Sequence, residues 1–202
     1  MLLFPAFEAL DVFGPLGALN GLSRNYSMNL YLISNSTDPV STALRVNPQN
    51  SNFSESIVPT HTFENPPPKL DILFVPGGGG TRAPDLDRHI AYIRDTYPSL
   101  QYILSVCTGS WLLARAGVLD GKNATSNKRA WAGREALGNG TKWIAHARWV
   151  TDGNVWTSSG VSAGIDATLA WVSAVYGDDV ASGIANGMEY PRHTNASVCR
   201  TL

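Results

Sequence analysis

Short apolar runs alternate along the chain with longer amphipathic segments, a pattern typical of an α/β domain with a mostly parallel sheet. The apolar runs predict strands at residues 2–4, 28–34, 70–75, 102–106, near 124, 148–151 and 155–158. The longer segments predict helices at residues 12–22, 85–97, 108–116, 128–137, 161–176 and 178–190. A DGN triplet at 152–154 predicts a hairpin turn. Residues 161–176 are apolar on most sides, so we expect a buried helix there.

The spacing of these elements leaves no room for a second domain. Residues 38–67 are polar and contain several prolines, so we expect at most short strands there, near Arg45 and at 57–61. No repeat, low-complexity tract or long linker divides the chain. We therefore predict one domain over residues 1–192 and a divergent tail over 193–202, in a chain that begins inside its first strand.

Composition excludes several classes of protein. Of the 202 residues, 44% are hydrophobic and 15% are charged, which excludes an extended disordered chain. The net charge of −1 gives no electrostatic footprint for nucleic acid or an anionic membrane. No window approaches the roughly 18 apolar residues of a spanning helix, and two cysteines form neither a disulfide framework nor a zinc cluster. A neutral globular domain that acts on a small molecule is the expectation, with no metal, no nucleic acid partner and no membrane.

The cellular compartment has two interpretations. Without a targeting segment, a cytoplasmic location is favoured. Six N-x-S/T sequons, more than composition alone predicts, favour a secreted protein and glycosylation instead. These candidate acceptors are Asn25, Asn35, Asn52, Asn123, Asn139 and Asn195. The simpler interpretation of the sequons is loop composition, because Asn and Ser are both common in turns.

The junction between the strand at 102–106 and the following helix holds a candidate nucleophile, Cys107. A strand that stops at a residue where a helix begins at once forces that residue into a strained conformation at the tip of the turn. Gly109 and Ser110 keep the turn small, and the helix start favours thiolate, so we expect Cys107 to ionise below the ordinary thiol range. The alternative is a buried structural cysteine. Cys199 has none of these features and is expected to be inert.

A glycine run, PGGGG at 76–80, follows another predicted strand. Such a run lets backbone N–H groups approach a ligand closely. It lacks the lysine of a phosphate loop, so nucleotide binding is not expected. If its strand neighbours that of Cys107, the N–H groups of Gly77 or Gly78 and of Thr108 would form an oxyanion hole. A plain tight turn is the alternative.

Two carboxylates, Glu8 and Asp11, follow the first strand. Asp11 is a candidate partner for Cys107, either bonded to its sulfur or shuttling protons. The alternative is that Asp11 only caps the helix that begins there.

Together these stretches resemble the ThiJ/PfpI superfamily, the class I glutamine-amidotransferase-like fold, over about residues 1–192. The resemblance lies in the order of LDVFGP, VPGGGGT, SVCTGS with LLARAGVLDGKNAT, and TSSGVSAGID. Within the superfamily the chain looks most like the isocyanide (isonitrile) hydratase branch, which has Asp in the first motif and Thr after the nucleophile. Here those positions are Asp11 and Thr108.

The resemblance implies a flavodoxin-like α/β sandwich, with helices on both faces of the sheet and a nucleophile-elbow cysteine, that forms a homodimer. It implies that Cys107 is the nucleophile and Asp11 its acidic partner. It also implies that the backbone amides of Gly77, Gly78 and Thr108 form the anion site.

One position departs from many relatives, which carry a histidine on the strand after the nucleophile helix. Asn127 stands there, so no Cys–His dyad is available at that place. Among the histidines, His61 is the best outside candidate for the rim of a pocket, and Trp111, just after the nucleophile, is a candidate pocket residue. No two histidines have metal-ligand spacing.

Three functions follow as hypotheses. The leading one is a hydratase (lyase) without cofactor, in which Cys107 adds to an isocyanide and water releases an N-substituted formamide. The alternative enzyme is a glyoxalase III or deglycase acting on a 2-oxoaldehyde. The alternative outside catalysis is a cysteine-based redox sensor or stress chaperone. Direct DNA binding is not expected, because no helix-turn-helix segment follows residue 192 and no basic patch is present.

Overall fold

Two buried parallel strands form the centre of the sheet, as the most apolar runs of the sequence predict. The computed structural model describes residues 1–134 and 137–198. Over these residues the strands are β1 (Ile33–Ser34), β2 (Val40–Ser41), β3 (Ser56–Ile57), β4 (His61–Thr62), β5 (Ile72–Val75), β6 (Tyr102–Ser105), β7 (Asn123–Ala124), β8 (Lys142–Trp143), β9 (Trp149–Asp152) and β10 (Val155–Ser158). β5 and β6 pair in parallel register, from Ile72 opposite Tyr102 to Val75 opposite Ser105.

The sheet extends to both sides of this central pair. β10 runs parallel to β6, and β9 runs antiparallel to β10. On the other side, the Leu2 N–H donates to the Phe74 carbonyl (2.9 Å) and the Leu3 N–H to the Ile33 carbonyl (2.8 Å). The first residues thus lie between β5 and β1, and β4 pairs in parallel with β1. The order is β4, β1, residues 2–3, β5, β6, β10, β9, and within this sheet every ladder except β9 with β10 is parallel, in agreement with the predicted mostly parallel sheet.

The helices pack as two groups. They are α1 (Ala9–Leu22), α2 (Asp87–Thr96), α3 (Gly109–Arg115), α4 (Ser162–Tyr176) and α5 (Asp178–Gly187). α1 packs against α4 and α5, whereas α2 packs against α3. The predicted burial of α4 is confirmed, since Leu169 and Trp171 are almost fully inaccessible and join the strands in one hydrophobic core. This is the α/β architecture with helices around a mixed sheet that the sequence predicts.

Two strand predictions are wrong in extent. The predicted strand over 28–34 is reduced to β1, because only its last two residues pair with β4 and only Ile33 also pairs with Leu2. The strand expected near Arg45 is β2, which ends at Ser41 and pairs antiparallel with β3. The residues between β2 and β3 form an exposed arm, residues 42–55.

The predicted helix over 128–137 is also wrong. The segment forms only a short 3₁₀ turn, Trp131–Arg134, and residues 135–136 lie outside the described part of the chain. The backbone at Gly133 lies against the indole of Trp111, so closely that an added Cβ would approach the ring to 2.6 Å. This tertiary contact, which no local pattern encodes, fixes the segment.

Over the described residues, no helix combines the length and the apolar character needed to cross a membrane.

Candidate active site

The turn between β6 and α3 has the strained geometry that its sequence predicts. Cys107 has a φ of 59°, in the left-handed region that a residue with a side chain rarely adopts. The Val106 N–H donates to the Val75 carbonyl (3.0 Å), and the Gly109 N–H donates back to Val106 (2.8 Å). A Cβ at Gly109 would lie 2.3 Å from the Val75 carbonyl oxygen, so only glycine fits there.

Two buried hydroxyls hold the carbonyl of the strained residue. Ser110 Oγ donates to the Cys107 carbonyl at 3.1 Å and Ser126 Oγ at 3.2 Å. Both serines are fully buried. Ser126 comes from the segment after β7, and no motif in the sequence points to it. The pair fixes the orientation of the peptide that follows the thiol.

Asp11 meets Cys107 from the first turn of α1. The helix begins at Ala9 with Glu8 at its N-cap, and no side chain caps it, so the interpretation of Asp11 as a cap is wrong. Its Oδ2 accepts a hydrogen bond from the Gly77 N–H at 2.9 Å, and the Cys107 thiol bonds the same carboxyl. Oδ1 is buried with no partner among the described residues.

Burial changes the proton affinity of this carboxyl. Loss of water around Asp11 raises its pKa to about 7, with a further contribution from the negative charge of Glu8. The hydrogen bonds from Gly77 and Cys107 act in the opposite direction. An aspartate with a pKa near neutrality is able both to take and to return a proton at physiological pH.

The expectation of a readily ionised thiol is wrong. Burial, followed by the negative charge of Asp11, raises the pKa of Cys107 to about 12. Hydrogen bonds from Thr108 and Asn127 oppose this without reversing it. The sulfur therefore rests as a thiol, with Asp11 as the adjacent acceptor for its proton.

Asn127 occupies the place of the absent histidine. Its Oδ1 accepts a hydrogen bond from the Ala130 N–H at 3.1 Å, which leaves Nδ2 to donate to the Cys107 sulfur. An amide donates to a developing thiolate but takes up no proton from it. Among the groups that contact the sulfur, Asp11 is thus the one able to accept its proton.

The glycine run lies against the same residues. The Gly77 N–H is bonded to Asp11, and the Gly78 N–H donates to Thr108 Oγ1 at 3.1 Å. Neither amide points freely at the thiol, so their role in an oxyanion hole stays a prediction that requires these bonds to exchange. The close fit explains the glycines, since a Cβ at Gly77 would lie 2.6 Å from the Thr108 nitrogen.

Comparison with known proteins places the chain in a family. The sequence model of the DJ-1/PfpI family matches residues 1–174. The chain belongs to the DJ-1/PfpI family. Isonitrile hydratase of Pseudomonas putida is 34% identical over 190 residues, which cover 94% of this chain and 76% of that enzyme. A ThiJ/PfpI family protein from Pseudomonas syringae, solved by crystallography, superposes with a TM-score of 0.76 at 34% identity, over 96% of this chain and 74% of that one.

A second relative carries a different activity in its name. A deglycase of Thermococcus kodakarensis is 35% identical over 98 residues, which cover 46% of this chain and 54% of that protein. The resemblance to the ThiJ/PfpI superfamily and to its isonitrile hydratase branch, inferred from the motifs, is confirmed by these matches.

Of the remaining candidates in this DJ-1/PfpI chain, His61 lies far from the thiol, whereas Trp111 follows Cys107 by about one helical turn. His61 is in β4, four strands from β6 or about 19 Å at ordinary strand spacing, and its ring packs against Tyr31. Trp111 lies in the first turn of α3 and is 7% exposed. Cys199 falls outside the described residues. Over residues 1–134 and 137–198, no group of three His, Cys, Asp or Glu side chains is arranged to hold a metal ion.

The candidate glycosylation positions are all at the surface. The exposed asparagines are Asn25, Asn35, Asn52, Asn123, Asn139 and Asn195. Asn123 differs from the others, because its side-chain amide donates to Asp152 at 3.1 Å and Thr125 of its sequon is fully buried. Its sequon has a structural explanation, and glycan attachment at the six positions stays a prediction.

Proposed function

We propose that this chain is a cysteine hydratase that needs no cofactor and converts a small isocyanide and water into an N-substituted formamide. The observation that carries the proposal is the Cys107–Asp11 pair, a buried thiol bonded to a carboxyl whose pKa is about 7. The similarity to an isonitrile hydratase over 94% of the chain supports the choice of substrate.

The first step adds the thiol across the terminal carbon of the isocyanide. Asp11 takes the proton of Cys107 as the sulfur attacks that carbon, and then delivers the proton to the same carbon. A thioimidate, R–N=CH–S–Cys107, results, and Asp11 is again a carboxylate. Donors from Thr108 and Asn127 stabilise negative charge on the sulfur while the proton is absent.

The second step hydrolyses the thioimidate. Asp11 deprotonates a water molecule that attacks the former isocyanide carbon, and the proton passes to the nitrogen. The tetrahedral intermediate then collapses, the C–S bond breaks, and the hydroxyl proton returns through Asp11 to the Cys107 sulfur. The products are R–NH–CHO and the free thiol, so atoms and protons balance without a redox partner.

A parallel assay tests the proposal. Purified protein and its Cys107→Ala variant are incubated with cyclohexyl isocyanide and, separately, with methylglyoxal, and the products are measured by chromatography. Formation of N-cyclohexylformamide by the parent protein but not by Cys107→Ala is the expected result. Formamide production that survives Cys107→Ala, or its absence from the parent protein, contradicts the hydratase function.

A deglycase or glyoxalase function is the second candidate, supported by the 35% identity to a deglycase over 46% of the chain. Here Cys107 would add to the aldehyde carbon of a 2-oxoaldehyde, and Asp11 would handle the protons. The presence of Asn127 where relatives carry a histidine weakens this candidate, because the chemistry then depends on a single proton carrier. Loss of methylglyoxal with formation of lactate in the same assay would favour it.

We also propose that the chain forms a homodimer. Apolar side chains stand exposed on the arm between β2 and β3, where Leu44 is 60%, Val46 is 78% and Phe53 is 90% accessible. Leu10 and Phe13 are also exposed on α1. Large apolar side chains that are this exposed are expected at a surface that another subunit covers. Sedimentation at micromolar concentration should give a species of twice 21.7 kDa, and a single species near 21.7 kDa contradicts the dimer.

A further inference from the structure

One cation that packs on the helix after the thiol is not used by the proposed mechanism. Arg82 ends the 3₁₀ turn Gly79–Arg82, which continues directly from the glycine run. Its guanidinium carbon lies 4.9 Å from the centre of the Trp111 ring, within cation–π distance. The buried indole thus provides a packing surface for the head of an exposed arginine.

Two adjacent contacts fix this pair next to the nucleophile. Thr81 Oγ1 donates to Thr108 Oγ1 at 3.1 Å, so the 3₁₀ turn is attached to the residue after Cys107. The backbone N–H of Trp111 donates to the Thr108 carbonyl at 3.0 Å, so the residue that carries the indole lies in the first turn of α3. Arg82 therefore lies over the same turn of helix that presents the thiol.

The charge of Arg82 has no counter-ion in the described part of the chain. No carboxylate there lies within ion-pair distance of it, whereas Arg45 and Arg88 are paired with Asp85 and Glu64. A guanidinium offers a planar fork of donors that matches a carboxylate in a bidentate geometry. The guanidinium of Arg82 packs on the Trp111 indole and has no carboxylate partner among the described residues. It is therefore suited to bind an anionic group on an incoming molecule.

We propose that Arg82, held over Trp111, is a specificity residue that binds a carboxylate on the substrate and so directs this site toward small anionic electrophiles. Because this inference concerns which substrate the site prefers, it rests on the proposed function. For an isocyanide, the carboxylate binds Arg82 while the isocyano carbon reaches the Cys107 sulfur, and the chemical steps are unchanged.

Alkylation of the thiol tests the inference without relying on turnover. Iodoacetate and iodoacetamide both form a thioether at the sulfur with release of iodide, and they differ in one negative charge. The rate at Cys107 is measured by mass spectrometry for each reagent in the parent protein, Arg82→Gln and Arg24→Gln. Arg24 is the matched control, an exposed arginine beyond the far end of α1, about 20 Å from Asp11 along the helix.

The expected result is a change in the ratio of the two rates. Arg82→Gln should lower the iodoacetate-to-iodoacetamide ratio about tenfold, and Arg24→Gln should leave it within about twofold. If Arg82 only packs against Trp111, both reagents change equally and the ratio is constant, which overturns the inference. An equal fall of the ratio in Arg24→Gln also overturns it, because the effect then reflects net charge alone.

Steady-state kinetics with a charged and an uncharged isocyanide provide a second test. Arg82→Gln should reduce kcat/KM for isocyanoacetate about ten- to a hundredfold, mostly through KM, and that for methyl isocyanoacetate less than about threefold. Equal losses with the two substrates contradict the inference while the hydratase function stands. Turnover of neither substrate contradicts the hydratase function, and the alkylation ratio then decides the role of Arg82 by itself.

Discussion

Two aspartates in the described part of the chain are fully buried, and their surroundings are opposite. Asp166 on α4 receives the Arg148 guanidinium through Nε at 2.6 Å, the Tyr190 hydroxyl at 3.1 Å and the His193 N–H at 2.8 Å. Asp11 has no cation within ion-pair distance among the described residues. It receives one backbone N–H and one thiol, and its second oxygen has no partner there.

The difference shows how one type of side chain serves either structure or chemistry. A buried carboxylate that meets a guanidinium and further donors forms a satisfied ion pair, and here the pair and the His193 N–H connect the segment after α5 to α4. Arg148 adds to this tie, because its N–H donates to the Ala196 carbonyl. A buried carboxylate without a cation keeps its charge poorly, so its proton exchanges near neutral pH. We therefore expect Asp11 to serve in proton transfer, because its charge is left without compensation.

The largest expected effect is on catalysis, in Asp11→Asn. The amide retains the shape and the bond from Gly77 but takes up no proton from Cys107, so kcat should fall about a hundred- to ten-thousandfold.

The same variant should also change stability. The pKa of Asp11 is raised from 3.8 to about 7, so its contribution to stability is present below pH 3.8 and is lost as pH rises through 7. At pH 8 the free energy of unfolding of Asp11→Asn should therefore exceed that of the parent protein by up to about 4 kcal/mol. Formamide production and urea unfolding at pH 4 and pH 8 measure both.

Glu8→Gln is the control for that variant, because Glu8 is the neighbouring carboxyl of the same loop. It should retain turnover at pH 8. Loss of turnover in Glu8→Gln with retention in Asp11→Asn would assign the proton transfer to Glu8. Retention in both variants would remove the proton carrier from the proposed mechanism, and a binding or sensing role for Cys107 would then explain the site better.

Asp166→Asn should give the reverse pattern. It leaves the charge of Arg148 buried without its counter-ion, and breaking a buried pair in this way costs about 3–5 kcal/mol of stability. Turnover per folded molecule should change little, since no contact of Asp166 reaches the thiol. Thermal unfolding followed by circular dichroism, with kcat measured well below the transition, checks both. A stable variant with lost turnover would place Asp166 in the catalytic machinery and end the contrast.

The two serine hydroxyls that donate to the Cys107 carbonyl should have a smaller effect, on both stability and kcat. Ser110→Ala and Ser126→Ala each remove one donor to the Cys107 carbonyl and should each cost about 1 kcal/mol of stability. The double variant should also lower kcat with KM little changed, because the thiol is then less firmly held in its strained conformation. Unfolding in urea and steady-state kinetics of the three variants test this. An unchanged kcat in the double variant would limit the two serines to stability.

The sequence allowed the strained cysteine and the mostly parallel sheet to be predicted, because a strand that runs into a helix start and apolar runs of strand length are local patterns. For Asp11 the local pattern left a helix cap and a partner of Cys107 both open, and only the resemblance to the ThiJ/PfpI superfamily implied the partner. The state of the thiol was predicted wrongly, since it depends on how deeply Cys107 is buried and on the charge of Asp11. Ser126 was missed because its role arises from a contact 19 residues away along the chain.

The smallest expected effect is a shift in the pH dependence. Asp11 must be ionised to accept the thiol proton, so kcat/KM should fall as pH drops below about 7, the pKa of Asp11. The negative charge of Glu8 is one cause of that raised pKa, after burial. Glu8→Gln removes this charge, so the acidic limb of the profile should move to lower pH by about half a unit. Profiles from pH 5 to 9 at two salt concentrations measure the shift, which should be smaller at high salt because Glu8 is exposed. A limb that stays in place would show that the charge of Glu8 does not affect the pKa of Asp11, and a limb that moves upward would contradict the direction of that effect.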